Sequence, residues 1–200
     1  AKRYGANVSF LTVCGNDDIA NKVENTLLDE GIKPFVIRKT SGKSASACIM
    51  IDKEGRNRVV CYPGVSSFMT KDDVRLFEEE IKTSKYLLLQ FEMSDESLFE
   101  AIELANKHNT LVILNPAPAK KLPLELINKA YVITPNEQEA EVILGNSDNE
   151  TILKSIIPNI IVTKGELGSV VKTNKKLFSV SARKVTPLNT TGAGDTYNGV

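Results

Sequence analysis

Short apolar runs alternate along this chain with longer amphipathic segments, and that alternation constrains its fold more than any other feature. The runs at 8–13, 86–90, 111–114, 131–134 and 160–163 are rich in Val, Ile and Leu and read as buried strands. Residues 17–30 read as a helix with Ile19, Val23 and Leu27 on one face and Gly31 just past its end. Residues 95–107 do the same with Leu98, Ile102 and Ala105, and shorter helices are expected near 123–128 and 136–144. Strands separated by helices must be joined by crossovers. The pattern therefore predicts an α/β architecture, a mainly parallel sheet with helices on both faces.

One stretch departs from this rhythm. Between Phe35 and Tyr62 the pattern is extended, and two strand-like runs flank Asp52-Lys53-Glu54-Gly55. A polar turn with Gly between such runs predicts a hairpin. Too small to stand alone, it reads as a flap at the sheet edge, and a flap over an α/β sheet suggests a lid. Thr70 followed by Asp73 is a capping box that restarts helix near Lys71.

Composition narrows the function classes. Lys and Arg total 25, as do Asp and Glu, so the chain lacks the basic excess of a nucleic-acid surface. No apolar run approaches the ~18 residues of a membrane span. Cys14, Cys48 and Cys61 are widely spaced and form neither a CxxC pair nor a metal pattern, so they read as reduced thiols of a cytoplasmic protein. The single histidine, His108, lies near an expected helix end, and no Ser-His-Asp arrangement can be built around it.

The chemistry concentrates in Asn189-Thr190-Thr191-Gly192-Ala193-Gly194-Asp195. Gly192 and Gly194 permit a tight turn and close approach to a ligand. The N–H groups of Ala193, Gly194 and Asp195 then suit the oxygens of a transferring phosphoryl group, with Asp195 beside them to take a hydroxyl proton. Read alone, the segment favours a helix start capped by Asp195 after a glycine turn. Gly42-Lys43-Ser44 resembles the end of a P-loop, but the loop's first glycine would have to replace Ile37.

Residues 190–199 resemble the second signature of the ribokinase-like (PfkB) carbohydrate kinases. Asn115-Pro116-Ala117-Pro118-Ala119, Thr134-Pro135-Asn136-Glu137 and Val162-Thr163-Lys164-Gly165 fall in that family's order and spacing. The resemblance covers essentially all 200 residues. It implies a three-layer α/β/α fold with a small β-lid within 35–62, the whole of 1–200 belonging to one domain. It implies transfer of the ATP γ-phosphate to a sugar hydroxyl, with ribose the first substrate. Other sugars of the family (2-deoxyribose, fructose, ketodeoxygluconate) and nucleosides are the alternatives, and a catalytically inactive sugar or nucleotide sensor is the competing class.

The resemblance also assigns roles. Asp195 is the base and Gly192, Ala193 and Gly194 form the anion hole. Glu92 accepts sugar hydroxyls, while Ala47 and Ile49 pack on the sugar from the lid. Asn136, Thr163 and Gly165 contact the nucleotide, and Glu139 holds Mg²⁺ through water, although Asn136 and Glu139 also match a capping box. Asn189 and Thr191 fall where the family binds a monovalent cation, usually K⁺; Asn189 stands where Asp is usual and carries no charge, so weaker K⁺ activation is expected. The resemblance further implies pairing of two copies through the lid. It places the chain as the central part of a protein of roughly 300 residues, the size of a large α/β domain. The sugar motif before it and the adenine pocket after it are then missing, and the 200 residues alone are expected to be inactive.

Overall fold

The computed structural model describes residues 1–53, 57–121, 123–174, 176–186 and 189–200. In chain order they form β1 (Ser9–Gly15), α1 (Asp18–Asp29), β2 (Lys33–Lys39), β3 (Ser46–Ile51), β4 (Asn57–Tyr62), α2 (Lys71–Arg75), α3 (Glu78–Thr83), β5 (Tyr86–Leu89) and α4 (Asp95–Lys107). There follow β6 (Leu111–Leu114), α5 (Leu124–Lys129), β7 (Val132–Ile133), α6 (Glu137–Leu144), α7 (Asn149–Lys154), β8 (Asn159–Thr163), β9 (Ser169–Thr173), β10 (Lys176–Val180) and α8 (Ala193–Gly199). The chain divides into two compact units. The first holds Ala1–Glu80, Glu92–Ser97 and the C-terminal segment ending at Val200; the second holds Ile81–Phe91 and Leu98–Thr186.

In the first unit β1 and β2 pair in parallel, Leu11 opposite Phe35 and Val13 opposite Ile37, with α1 as the crossover. Asp17 caps α1 by accepting from the Ala20 N–H. The expectation of a strand buried throughout is corrected here: Val13, Cys14 and Gly15 are buried, but Phe10 is 46% exposed. Among the described strands β1 pairs only with β2, so its beginning is left uncovered. The face of α1 shifts likewise. Ala20 is its buried residue, whereas Ile19 is exposed and Val23 and Leu27 are half-buried along a shallow apolar groove with Phe10.

The flap is present. β3 and β4 run antiparallel, Cys48 opposite Val60 and Ile49 opposite Val59. Alternation puts Ala47, Ile49 and Ile51 on one face, and every residue of β3 is exposed. Of the expected turn, Glu54 and Gly55 lie outside the described residues, as does Arg56. Thr70 and Asp73 form the expected capping box at α2, and Lys39 Nζ reaches both oxygens of Asp73, at 2.9 and 2.7 Å.

The second unit is built on a sheet of order β10-β9-β8-β7-β6-β5, parallel from β5 to β8 and antiparallel at β9 and β10. Its core joins Leu98, Ile102 and Ala105 of α4 with Val112, Leu114, Ile133, Ile160 and Val162, all fully buried; each large side chain withdrawn from water contributes about 1.5–3 kcal/mol. The run at 86–90 was expected to be buried, yet Tyr86 and Leu88 are about half exposed. β5 is the last described strand of this sheet, with a neighbour on one side only.

Candidate active site

The carboxyl ends of β6, β7 and β8 are tied together by their own backbone and by one amide. Asn115 Nδ2 donates to Thr134 O at 2.9 Å, and the Thr163 N–H donates to Pro135 O at 2.9 Å. A parallel bridge then places Asn136 beside Thr163. Carboxyl ends of parallel strands are where open α/β sheets bind ligands, because the connecting loops converge there. Asn115 went unassigned at the sequence level. Its signal is an amide directly after a buried strand, followed by Pro, where a side chain rather than an N–H makes the next link.

Asn136 and Glu139 form the capping box in full. The Glu139 N–H donates to Asn136 Oδ1 at 2.8 Å, the Asn136 N–H to Glu139 Oε2 at 2.8 Å, and Asn136 Nδ2 to Glu139 Oε1 at 2.9 Å. These bonds account for the start of α6. They leave the Glu139 charge unneutralised, since among the described residues no cation pairs with it. Lys164 instead approaches Glu137, at 3.9 Å, and donates to Ser147 O at 3.1 Å. Glu139 is only 8% exposed, and burial pushes its carboxyl above the usual carboxylate range against the opposing bond from the Asn136 N–H. A buried carboxylate without a counter-charge costs stability, so a cation brought by a ligand fits this position. Among the described residues no three acidic, His or Cys groups converge to cage a metal.

Gly165 and Gly168 bracket a 3-10 turn after β8, with φ of 53° and 96°. Space around them differs. A Cβ on Gly168 would lie 2.0 Å from Val180 O, whereas one on Gly165 would meet nothing within 4 Å. Gly168 is therefore fixed by packing, and Gly165 faces open space at the strand end.

The remaining expected site residues lie in the first unit. Gly192, at φ 78°, turns the chain into α8, and Asp195 is exposed in its first turn. The Thr196 N–H and Oγ1 both donate to Gly192 O at 2.9 Å. Ala193 departs from its expected part in a three-donor hole, because its N–H donates to Thr190 O at 3.1 Å. Among the described residues the N–H groups of Gly194 and Asp195 have no acceptor, so two donors stand beside the carboxylate. Asn189 Oδ1 accepts from the Thr191 N–H at 2.8 Å, an Asx turn on an exposed loop. Glu92 is exposed ahead of α4, in a bend held by Ser94 Oγ donating to Met69 O at 2.6 Å. Ala47 and Ile49 share one exposed face of the flap.

Comparison with known proteins decides the family. The pfkB family carbohydrate kinase profile matches residues 1–200. The chain belongs to that family. It is 32% identical to ribokinase of Staphylococcus aureus, over 98% of this chain and 68% of that protein. It is 30% identical to deoxyribokinase of Salmonella typhi, over 100% of this chain and 69% of that protein. The crystal structure of ribokinase from Thermotoga maritima superposes with a TM-score of 0.81 at 30% identity, over 96% of this chain and 65% of that one. The chain thus spans about two thirds of the pfkB kinases it matches, and its fold is the ribokinase-like α/β fold with a mainly parallel sheet.

Proposed function

We propose that the protein moves the γ-phosphate of ATP onto a hydroxyl of ribose, with Asp195 as general base. The observation that carries this reading is the GAGD turn, where an exposed carboxylate stands next to two N–H donors that have no acceptor among the described residues. Asp195 takes the proton of the attacking hydroxyl, whose oxygen forms the new P–O bond while the bond to the ADP oxygen breaks. The Gly194 and Asp195 N–H groups receive the charge on the phosphoryl oxygens, which is most of what phosphoryl transfer asks of a protein. Glu92 accepts hydroxyls of the sugar, and Ala47 and Ile49 cover its apolar side. Asn136, Thr163 and Gly165 line the nucleotide at the strand ends. Bound Mg²⁺ would offset the phosphate charge, held through water at Glu139.

The Asn189 carbonyl oxygen is turned onto Thr191 and brings no charge. K⁺ activation is accordingly weak, and Asn189→Asp strengthens it; equal K⁺ dependence of the two proteins would refute this. The flap exposes Met50, Ile51, Val60 and Tyr62, each at half or more of its surface, which supports pairing with a second copy. Its free cysteines at exposed positions suit the reducing cytoplasm.

The test is ADP release by the full-length protein with ATP, Mg²⁺ and ribose, 2-deoxyribose, fructose or adenosine, with and without K⁺. Fastest turnover on ribose is expected. Preference for 2-deoxyribose would reassign the substrate, and ribose binding without ADP release would make the protein a sensor.

A further inference from the structure

The flap's position is fixed at its base. β3 is exposed along its whole length, so packing over the hairpin does not hold it. Its leading leg, by contrast, ends in Ser44, which is 2% exposed. Ser44 Oγ donates to Asp17 Oδ1 at 2.6 Å and accepts from the Gly15 N–H at 2.9 Å, while the Ser44 N–H donates to Asp17 Oδ2 at 2.8 Å. One carboxylate thus grips the flap leg twice and caps α1 as well. The approach is close enough to demand glycine. A Cβ on Gly15 would lie 2.6 Å from Ser44 N, and one on Gly64 would lie 2.4 Å from Lys43 O. The returning leg is tied to the leading one, because the Val65 N–H donates to Lys43 O at 3.0 Å and Val65 is fully buried.

From this geometry we infer that Asp17 and Ser44 are positioning residues, a clasp that sets where the flap holds Ala47 and Ile49. The inference rests on the kinase reading for what the flap does, not for how it is held. Ala47 and Ile49 follow Ser44 closely in one extended run, so a shift at the clasp is passed along a stiff strand to both. The Ser44 hydroxyl, then its N–H, holds the Asp17 carboxyl below the usual carboxylate range, so the clasp is charged and closed at neutral pH. Gly42-Lys43-Ser44, which resembled part of a phosphate loop in the sequence, here carries the clasp at the base of the flap.

Two variants of the full-length protein separate this role from general stability. Ser44→Ala removes the hydroxyl. Asp17→Asn replaces one acceptor of the clasp but leaves a side chain that caps helices as well as Asp does. In both, backbone amides of β3 and β4 should exchange with deuterium about 10-fold faster, while those of the α1 interior stay within about twofold of native. In both, KM for the sugar should rise about 10-fold with KM for ATP within about twofold, as expected from misplacing a contact by an ångström or less. Flap exchange within about twofold of native in Asp17→Asn, or equal acceleration across α1 and the flap, would overturn the inference. The exchange comparison needs no substrate, so it stands even if the native protein fails to phosphorylate any sugar. Should Ser44→Ala not fold, Asp17→Asn alone decides.

Discussion

The flap and the strand ends of the second unit serve one proposed reaction by opposite physical means. Around Asn136 and Thr163 the backbone is locked by a bridge, two N–H bonds and a full capping box, above a core of buried Ile133, Ile160 and Val162. The flap has one pairing partner per strand, no buried residue in β3, and is held by Ser44 and Asp17 at its base. A nucleotide phosphate needs donors fixed in advance. In the proposed reaction a sugar would have to enter and be covered, and the flap proposed to cover it is built from exposed residues on a fixed base.

The sharpest way to break this contrast is in the glycine turn of the rigid region. Gly168→Ala combines a left-handed φ with a Cβ 2.0 Å from Val180 O, so it should cost about 4 kcal/mol or prevent folding. Gly165→Ala has the left-handed φ but open space, and should cost only about 1–2 kcal/mol by thermal or urea unfolding. Equal losses would show that packing at Gly168 does not matter.

Next comes a matched pair of isoleucines. Ile133→Ala removes a fully buried side chain and should cost about 2–5 kcal/mol. Ile49→Ala, at a position 46% exposed, should stay within about 1 kcal/mol while raising KM for the sugar. A flap that is part of the core would reverse the second result.

A smaller and pH-dependent effect is expected at Glu139. Burial raises its folded carboxyl above the unfolded value. Its contribution is therefore favourable below the unfolded pKa and is lost as pH rises through the folded one, leaving a cost at neutral pH. Glu139→Gln should remove that pH dependence and unfold no more easily than native at pH 7, while turnover falls about 10- to 100-fold. A loss of stability together with an unchanged rate would return Glu139 to a purely capping role.

Much of the fold was legible where burial is uniform. Leu98, Ile102 and Ala105 mark the inner face of α4 as their spacing predicts, and β6 begins and ends at the expected residues. The errors fall where neighbours decide burial. Phe10, Ile19, Tyr86 and Leu88 have the apolar identity of core residues, but lie where no described element covers them. The apolar pattern does not mark β9, because Lys172 interrupts its run; the lysine is nonetheless buried, donating to Ser155 O at 2.6 Å, and desolvation lowers its pKa. The capping boxes at Thr70 and Asn136 were readable because their partners lie three residues apart. The Asp17–Ser44 clasp was not, since it joins residues 27 apart. The missing third donor at Ala193 depends on the angle of one turn, which residue identities do not specify.

The central claim is that Asp195 acts as base and not merely as part of a helix start. The direct measurement is ADP release on ribose by native full-length protein and Asp195→Asn, alongside their melting temperatures. Turnover should fall about 10²- to 10⁴-fold with the melting temperature and ribose affinity preserved. Unchanged turnover, or turnover and melting temperature lost together, would contradict it.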